Sequence, residues 1–374
     1  MSPNFDVVVV GAGIVGTACA LECSQAGLKT AIIEEGIVGG GATAAGMGHI
    51  VAMDDSDAQF ELTRYSQQLW LRMKNALPKD VEFETTGTIW VAADEEEMIE
   101  VRRKQAYFSA RRVPCEILDA RALAEAEPYL RKGLAGGLLV PEDGVLYPPT
   151  AARWLWSQAR SCGASAIQGR VTALSEAGFS LRDGSSFNPG ITVVATGAWA
   201  PELDTALEIK KRKGHLAITD RYPGFVRHQL VELGYLKSAH SVTSDSAAFN
   251  VQPRATGQVL IGSSRQYGAE DGGIDHQMIR AMLARACEYM PDLKQKAVVR
   301  CWTGFRAATP DKLPLIGPST KKPNVWFATG HEGLGITTSL GTAKLLVDQI
   351  LGRKPEIPFE PYLPSRYSRE HVYA

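Results

Sequence analysis

The chain has 374 residues, 45% hydrophobic and 22% charged, an ordinary globular mixture that excludes disordered, collagen-like and coiled-coil architectures. Lysine plus arginine number 40 against 41 for aspartate plus glutamate, a formal charge of −1, so the basic face of a nucleic-acid binder is not expected. No apolar run nears the roughly 20 residues of a membrane span, and the first residues carry no basic leader, so a folded cytoplasmic domain is expected.

Asp6 to Val10 is apolar and β-branched without alternation, which predicts a strand buried on both faces. Gly11-Ala12-Gly13-Ile14-Val15-Gly16 then opens a small-residue helix running to about Ala26, with Gly27 as its left-handed terminator. Lys29 to Ile33 is the next parallel strand and runs into Glu34-Glu35. Apolar residues at helical spacing predict a helix over Asp57 to Ala76, followed by a strand at Thr88 to Ala92 and a charged helix at Glu95 to Arg112. Pro148 to Ser161 is a helix with proline at its start. Val171 to Leu174 and Ile191 to Ala195 are strands, with Asp183-Gly184 as a turn signal between them. Phe249 to Val251 and Val259 to Gly262 form a hairpin closed around Thr256-Gly257. A helix at His276 to Met290, strands near Val298 and Val325 and a long helix from Gly335 to Leu351 follow. Proline at 355, 358, 361 and 364 then predicts an extended, loop-like tail.

Parallel-type segments at both ends around a strand-rich middle predict two lobes. The first is an α/β Rossmann-like dinucleotide-binding lobe, discontinuous over residues 1–80, 145–215 and 300–374. The second is an α+β substrate lobe with a mostly antiparallel sheet, over 81–144 and 216–299. The six cysteines (19, 23, 115, 162, 287 and 301) form no Cys-x-x-Cys pair, so no metal site is expected. Cys19 and Cys23 share one helix face and read as small core residues.

Gly11, Gly13 and Gly16 stand between a strand and a helix, and Glu34 closes the second strand. In that setting the first glycine permits the turn, the second lets backbone approach a pyrophosphate, and the third lets helix and sheet pack. The helix N-terminus offers free N–H groups to phosphate, and Glu34 can accept ribose hydroxyls. A dinucleotide is expected, and a fingerprint this near the N-terminus favours a stably held flavin. The segment Gly330 to Gly335 is a second glycine-rich helix entry, whose positive end suits the charge of a reduced flavin.

Three further stretches support the flavin. Gly39-Gly40-Gly41-Ala42-Thr43-Ala44-Ala45-Gly46-Met47-Gly48-His49 resembles the flavin-contacting segment of the D-amino-acid oxidase-like flavoproteins. Thr192-Val193-Val194-Ala195-Thr196-Gly197-Ala198-Trp199 resembles their Ala-Thr-Gly strand end, and Asp311 to Pro318 with Thr329 to Gly335 completes the pattern. The resemblance runs from Val7 to about Leu351, closest to the glycine oxidase, sarcosine oxidase and D-amino acid dehydrogenase branch. It implies FAD contacts from Ile14, Val15, Glu35, Gly41, Ala42, Thr43, Gly46, Met47, Gly48 and His49. It also implies contacts from Val171, Ala195, Thr196, Gly197, Trp199, Arg306, Gly330, Gly333, Leu334, Gly335, Ile336 and Thr337. Some relatives attach flavin through a cysteine just before the Pro-Asp turn, where Cys301 lies too early. Others use a histidine before the Ala-Gly pair, where Thr43-Ala44 stand here, so noncovalent FAD is expected.

In such enzymes an arginine matching Arg306, within Gly304-Phe305-Arg306, pairs with a substrate carboxylate; the alternative is a structural ion pair. His49 is either a site residue or a satisfied core histidine. His215 falls where relatives carry Arg-Gly-Gln and is either site-lining or structural. His331 and Glu332 sit on the loop over the flavin, or on exposed surface. Oxidation of an amine that arrives deprotonated needs hydride transfer to flavin N5 and little acid–base help, so no general base is assigned.

The Met47-Gly48-His49 and Gly330 to Thr338 stretches most resemble catalytic β-type subunits of opine oxidases, hydrogen cyanide synthase and D-hydroxyproline dehydrogenase. That implies a dehydrogenase of amino or imino acids, passing electrons to flavin or iron–sulfur partner subunits, which could hold it at the inner membrane. A self-sufficient glycine- or sarcosine-type oxidase and a non-catalytic FAD relay subunit are the competing readings. Neither loop nearest the flavin contains lysine, and Glu332 would repel an anionic oxygen species, so slow reoxidation by air is expected.

Overall fold

The computed structural model describes residues 5–234 and 245–369, so the four residues that open the chain lie outside it. Six strands form the first sheet, ordered Leu315–Pro318, Val325–Thr329, Ile191–Val194, Val7–Val10, Thr30–Glu34 and Ser165–Gln168. All neighbours are parallel except the edge pair Leu315–Pro318 with Val325–Thr329. Val7 and Val9 pack beneath helices, whereas Val8 and Val10 meet Val171, Phe179 and Leu181 of a three-stranded antiparallel sheet. Burial on both sides explains why the valine run shows no alternation.

Helix Ile14–Gln25 packs on this sheet and beside helix Gly335–Ile350, which also packs on helix Asp57–Met73. Close approach of the last two requires glycine at 341, where a Cβ would stand 2.2 Å from Ser66 Oγ. Cys19 and Cys23 are fully buried in this layer, and burial pushes the Cys23 thiol up to about 12. No group of metal-ligating side chains occurs among the described residues. The proline-rich tail is mostly irregular, as expected, yet it is anchored: buried Tyr362 donates to the Ala58 carbonyl at 2.6 Å.

Nine strands form the second sheet. Their order is His331–Glu332, Val298–Ala308, Lys210–Arg221, Gln258–Tyr267, Ser246–Pro253, Gln229–Glu232, Thr88–Ala92, Gly136–Val140 and Glu116–Asp119. Only Gln229–Glu232 and Thr88–Ala92 run parallel. Helix His276–Tyr289 contributes to its core, with Met282 and Ala286 against Phe249 and Val251. The α/β lobe and the mostly antiparallel lobe expected from the sequence are both present.

Three details differ from expectation. Lys210–Arg221 and Val298–Ala308 are continuous strands paired over their length, so the boundaries expected at 215/216 and 299/300 fall inside them. The Asp183-Gly184 turn joins the short strands Phe179–Leu181 and Ser186–Phe187 rather than linking Val171–Leu174 to Ile191–Val194. The hairpin around Thr256-Gly257 is longer than expected, Ser246–Pro253 with Gln258–Tyr267. No helix among the described residues is long and apolar enough to cross a membrane.

Candidate functional site

A cleft of about 620 Å³ is lined by residues of both sheets. At one end the strand Val7–Val10 turns sharply into helix Ile14–Gln25. Gly11 takes φ +103°, and a Cβ there would lie 2.8 Å from the Ala195 carbonyl oxygen. Glu34 is held beside this turn, accepting the Ala12 amide at 2.7 Å and the Gly36 amide at 2.8 Å. The single helical turn Gly41–Ala44 is tied to the helix N-terminus by Thr43 Oγ1, which accepts the Ile14 amide at 2.9 Å. Gly13, Ile14, Val15, Glu34, Gly41, Ala42 and Thr43 line the cleft here. Val171, Ala195, Thr196, Gly197 and Trp199 also line it, and the Thr196 hydroxyl is enclosed without a protein partner. Glu35 lies at the rim, paired with Arg170 at 3.4 Å and Arg182 at 3.7 Å.

This end fits an extended dinucleotide on physical grounds. A Cβ at Gly13 would meet only Thr43 Oγ1, tightly at 3.3 Å, so the glycine chiefly keeps the cleft floor flat. Helix amides and the positive end of the dipole face the phosphate position, and Glu34 presents a carboxylate to ribose hydroxyls.

Helix Gly335–Ile350 opens on the middle of the cleft, with Gly330, Gly333, Gly335 and Ile336 along it and no acidic residue in its first turn. Gly46 fits beneath: a Cβ there would lie 2.5 Å from Ile336 Cδ1. Such a helix terminus stabilises negative charge developing on a flavin ring.

Arg306 occupies the far end, with Met47, Gly48, His49, Leu216, Phe305 and Glu332 around it. It lies across Gly214 of the neighbouring strand, where a Cβ would stand 2.5 Å from Nη1, and close to Gly333. Its Nη1 donates to the Ser264 carbonyl at 2.9 Å, and the residue lines the cleft wall. Burial pushes His49 down to about 4; the positive charges of Arg306 and Arg254 add to this, against a partial offset from Gln252.

Several expected site residues take other roles. His215 is fully buried and turned away from the cleft, because its strand neighbours Gly214 and Leu216 face it. Its Nδ1 bonds Ser264 Oγ at 3.0 Å and its Nε2 accepts the Asp275 amide at 3.1 Å, so it ties helix His276–Tyr289 to the sheet. Burial, then the Lys213 charge, lowers its pKa. His331 lines the cleft but bonds Thr342 Oγ1 through Nε2 at 2.9 Å, and burial pushes it down to about 3. Glu332 lines the cleft and is ion-paired with Arg212, so its charge is compensated. Gly16, Leu334 and Thr337 are not among the lining residues. A Cβ at Gly16 would stand 1.9 Å from the Gly11 carbonyl oxygen, Leu334 caps the second helix, and Thr337 Oγ1 donates to the His49 carbonyl at 2.7 Å. Cys301 pairs with Ala217 and packs against the core of the second sheet, away from the cleft.

Asn250 and Ser263 line the far end and were not singled out from the sequence. The signal for Asn250 was present: one amide among Ala248, Phe249 and Val251 in a buried strand. Ser263 had none, since serine is unremarkable beside Gly262 and Ser264.

The family profile described as DAO, FAD dependent oxidoreductase, matches residues 6–349. Glycine oxidase of Geobacillus kaustophilus (strain HTA426) is 26% identical over 379 residues, covering 98% of each chain. The crystal structure of glycine oxidase from Geobacillus kaustophilus aligns with a TM-score of 0.87 and 26% identity, over 97% of this chain and 99% of that one. A hydrogen cyanide synthase subunit, HcnC of Pseudomonas aeruginosa, is 26% identical over 427 residues, covering 99% of this chain and 98% of its own. The L-proline dehydrogenase structure from P. horikoshii shares the fold, with a TM-score of 0.87 at 22% identity over 99% of each chain. With the dinucleotide cleft already built from its own residues, the chain belongs to the DAO family of FAD-dependent oxidoreductases.

Proposed function

We propose that this oxidoreductase oxidises the Cα–N bond of an amino or imino acid, a D-amino acid, N-substituted amino acid or opine. The observation that carries the reading is Arg306, a guanidinium presented at the cleft wall and framed by Gly214 and Gly333. A planar fork of this kind grips a carboxylate through two hydrogen bonds and thereby fixes the α-carbon. Bound noncovalently, FAD would take up the α-hydrogen as hydride, with both electrons of the broken C–H bond. The nitrogen lone pair then closes the C=N bond, and water hydrolyses the imine. His331 and His49 are held neutral, so neither competes as a cation for the carboxylate. An anaerobic screen of D-amino acids, N-methyl amino acids and opines should find one class that bleaches the flavin absorbance. No bleaching by any carboxylate-bearing amine would reject the reading.

For the electron acceptor, we propose a dehydrogenase that passes electrons to a partner flavin or iron–sulfur subunit. No lysine occurs among the described residues lining the cleft, which leaves no ammonium to stabilise a reduced oxygen species. The second reading, a self-sufficient oxidase, is favoured by the likeness to glycine oxidase along almost the whole chain.

A further inference from the structure

Glu332 is an uncommon residue for its place. It lines the cleft just before helix Gly335–Ile350 and takes a left-handed φ of +48°, which suits glycine better than glutamate. Its backbone is pinned on both sides. His331 and Glu332 pair with Ala308 and Ala307, and the Leu334 amide donates to the His331 carbonyl at 3.0 Å. The side chain then reaches across strand Val298–Ala308 to Arg212 on the strand beyond, 120 residues away in the chain. Both side chains are nearly buried, 7% exposed for Arg212 and 13% for Glu332. The Arg212 guanidinium also lies 4.7 Å from the centre of the Tyr267 ring, on the next strand again.

Each partner needs the other. Arg212 stands directly opposite Arg306 in the ladder, and two cations in that relation repel unless an anion is supplied. Glu332, in turn, brings a carboxylate to the entry of a helix whose first turn carries no acidic residue. That entry lines the FAD cleft, and its positive end favours the negative charge that the flavin ring gains on reduction. A bare carboxylate there would oppose the helix terminus. We propose that Arg212 and Glu332 are a positioning pair for the flavin. Their contact ties the Gly330 to Gly335 helix entry to the substrate sheet, and Arg212 cancels a charge that would lower the flavin's reduction potential. Neither residue takes part in the chemistry; both act through the field and the placing of the helix entry.

The test is the midpoint potential of the FAD-loaded protein, read against a reference dye during slow reduction by xanthine and xanthine oxidase. Arg212→Met, Glu332→Gln and the double variant are compared with the parent, each checked for flavin content. Work at about pH 8.5 keeps the freed Glu332 carboxylate ionised in Arg212→Met. That variant should shift the equilibrium about tenfold toward oxidised flavin, about 30 mV lower for a two-electron couple. Glu332→Gln leaves the Arg212 cation uncancelled and should shift it about tenfold the other way, and the double variant should return to within about threefold of the parent. A merely structural link would move both single variants in the same direction. The proposal falls if the two shifts share a sign, if either stays below about threefold, or if the double variant keeps a single variant's shift. Should Arg212→Met fail to retain FAD, Arg212→Gln carries the same comparison. Because xanthine oxidase supplies the electrons, the result is independent of whether the protein oxidises an amine.

Discussion

At the scale of single residues, the far end of the cleft is organised around Arg306 and two glycines. Arg306→Lys should raise KM for a carboxylate-bearing substrate roughly ten- to a hundredfold and lower kcat less, with FAD retained. The loss of one arm of a bidentate pair corresponds to about 1.5–3 kcal/mol. Steady-state kinetics with flavin content measured alongside would decide it, and an unchanged KM would count against the anchor. Gly214→Ala makes the same point without altering charge, since its Cβ would displace Nη1 from 2.5 Å away; KM should again rise while kcat falls less. Arg306 was legible because Gly-Phe-Arg precedes a Pro-Asp turn in a recognisable pattern. His215 was left open between a site-lining and a structural role because the side of the sheet a strand residue faces depends on register, which one chain segment does not reveal.

Histidine protonation gives a residue-scale prediction of the same sign as the usual carboxylate case, because burial lowers the folded-state pKa. His331 titrates near 3 in the folded protein because it is buried against Thr342. In the unfolded chain it titrates near the ordinary value of about 6.5. Between those values the unfolded state binds the extra proton, so this contribution to stability is full above about pH 6.5 and is lost as pH falls toward 3. The slope is at most about 1.4 kcal/mol per pH unit. Thermal unfolding of the FAD-loaded protein from pH 7 to pH 5 should show a falling Tm. The fall should be shallower in His331→Gln, whose side chain does not titrate.

At the scale of elements, the three fingerprint glycines separate into different physical roles. Gly13→Val should fold yet lose FAD, because a Cβ there presses only on the Thr43 hydroxyl, at 3.3 Å, and fills the cleft floor. Gly16→Ala should damage the fold itself, since its Cβ would lie 1.9 Å from the Gly11 carbonyl. Circular dichroism and flavin content measured on both variants distinguish these outcomes. Stoichiometric flavin in Gly13→Val would refute the assignment of the phosphate site. The opening βαβ unit was legible because its hydrophobic pattern, turn glycines and acidic strand end agree. Strand Lys210–Arg221 was not, because it begins Lys-Lys-Arg-Lys, which reads as solvated surface. In the fold Arg212 and Lys213 are buried, with their charges on Glu332 and Asp271.

At the scale of the whole molecule, the open question is where the electrons go. Repulsion from Glu332 no longer argues against oxygen, because Arg212 compensates it. The dehydrogenase reading then rests on the absence of lysine among the described lining residues. Dithionite-reduced protein mixed with aerated buffer in a stopped-flow instrument should reoxidise more slowly than it reduces a dye acceptor. Reoxidation faster than dye turnover would establish the oxidase alternative.

The sequence by itself determined the FAD cofactor and the two-lobed class, and it singled out Arg306, the proposed carboxylate anchor. Each of these is local: a glycine turn, a helix entry or a short motif carries its own geometry within a few residues. Only the tertiary structure decided which polar side chains face the cleft. His215 faces away from it and Asn250 and Ser263 face into it because strands distant in sequence pair in a particular register. Compensation of Glu332 by Arg212 likewise arises across 120 residues of chain. Pairings of that kind are decided by long-range packing, which no local pattern of residue types encodes.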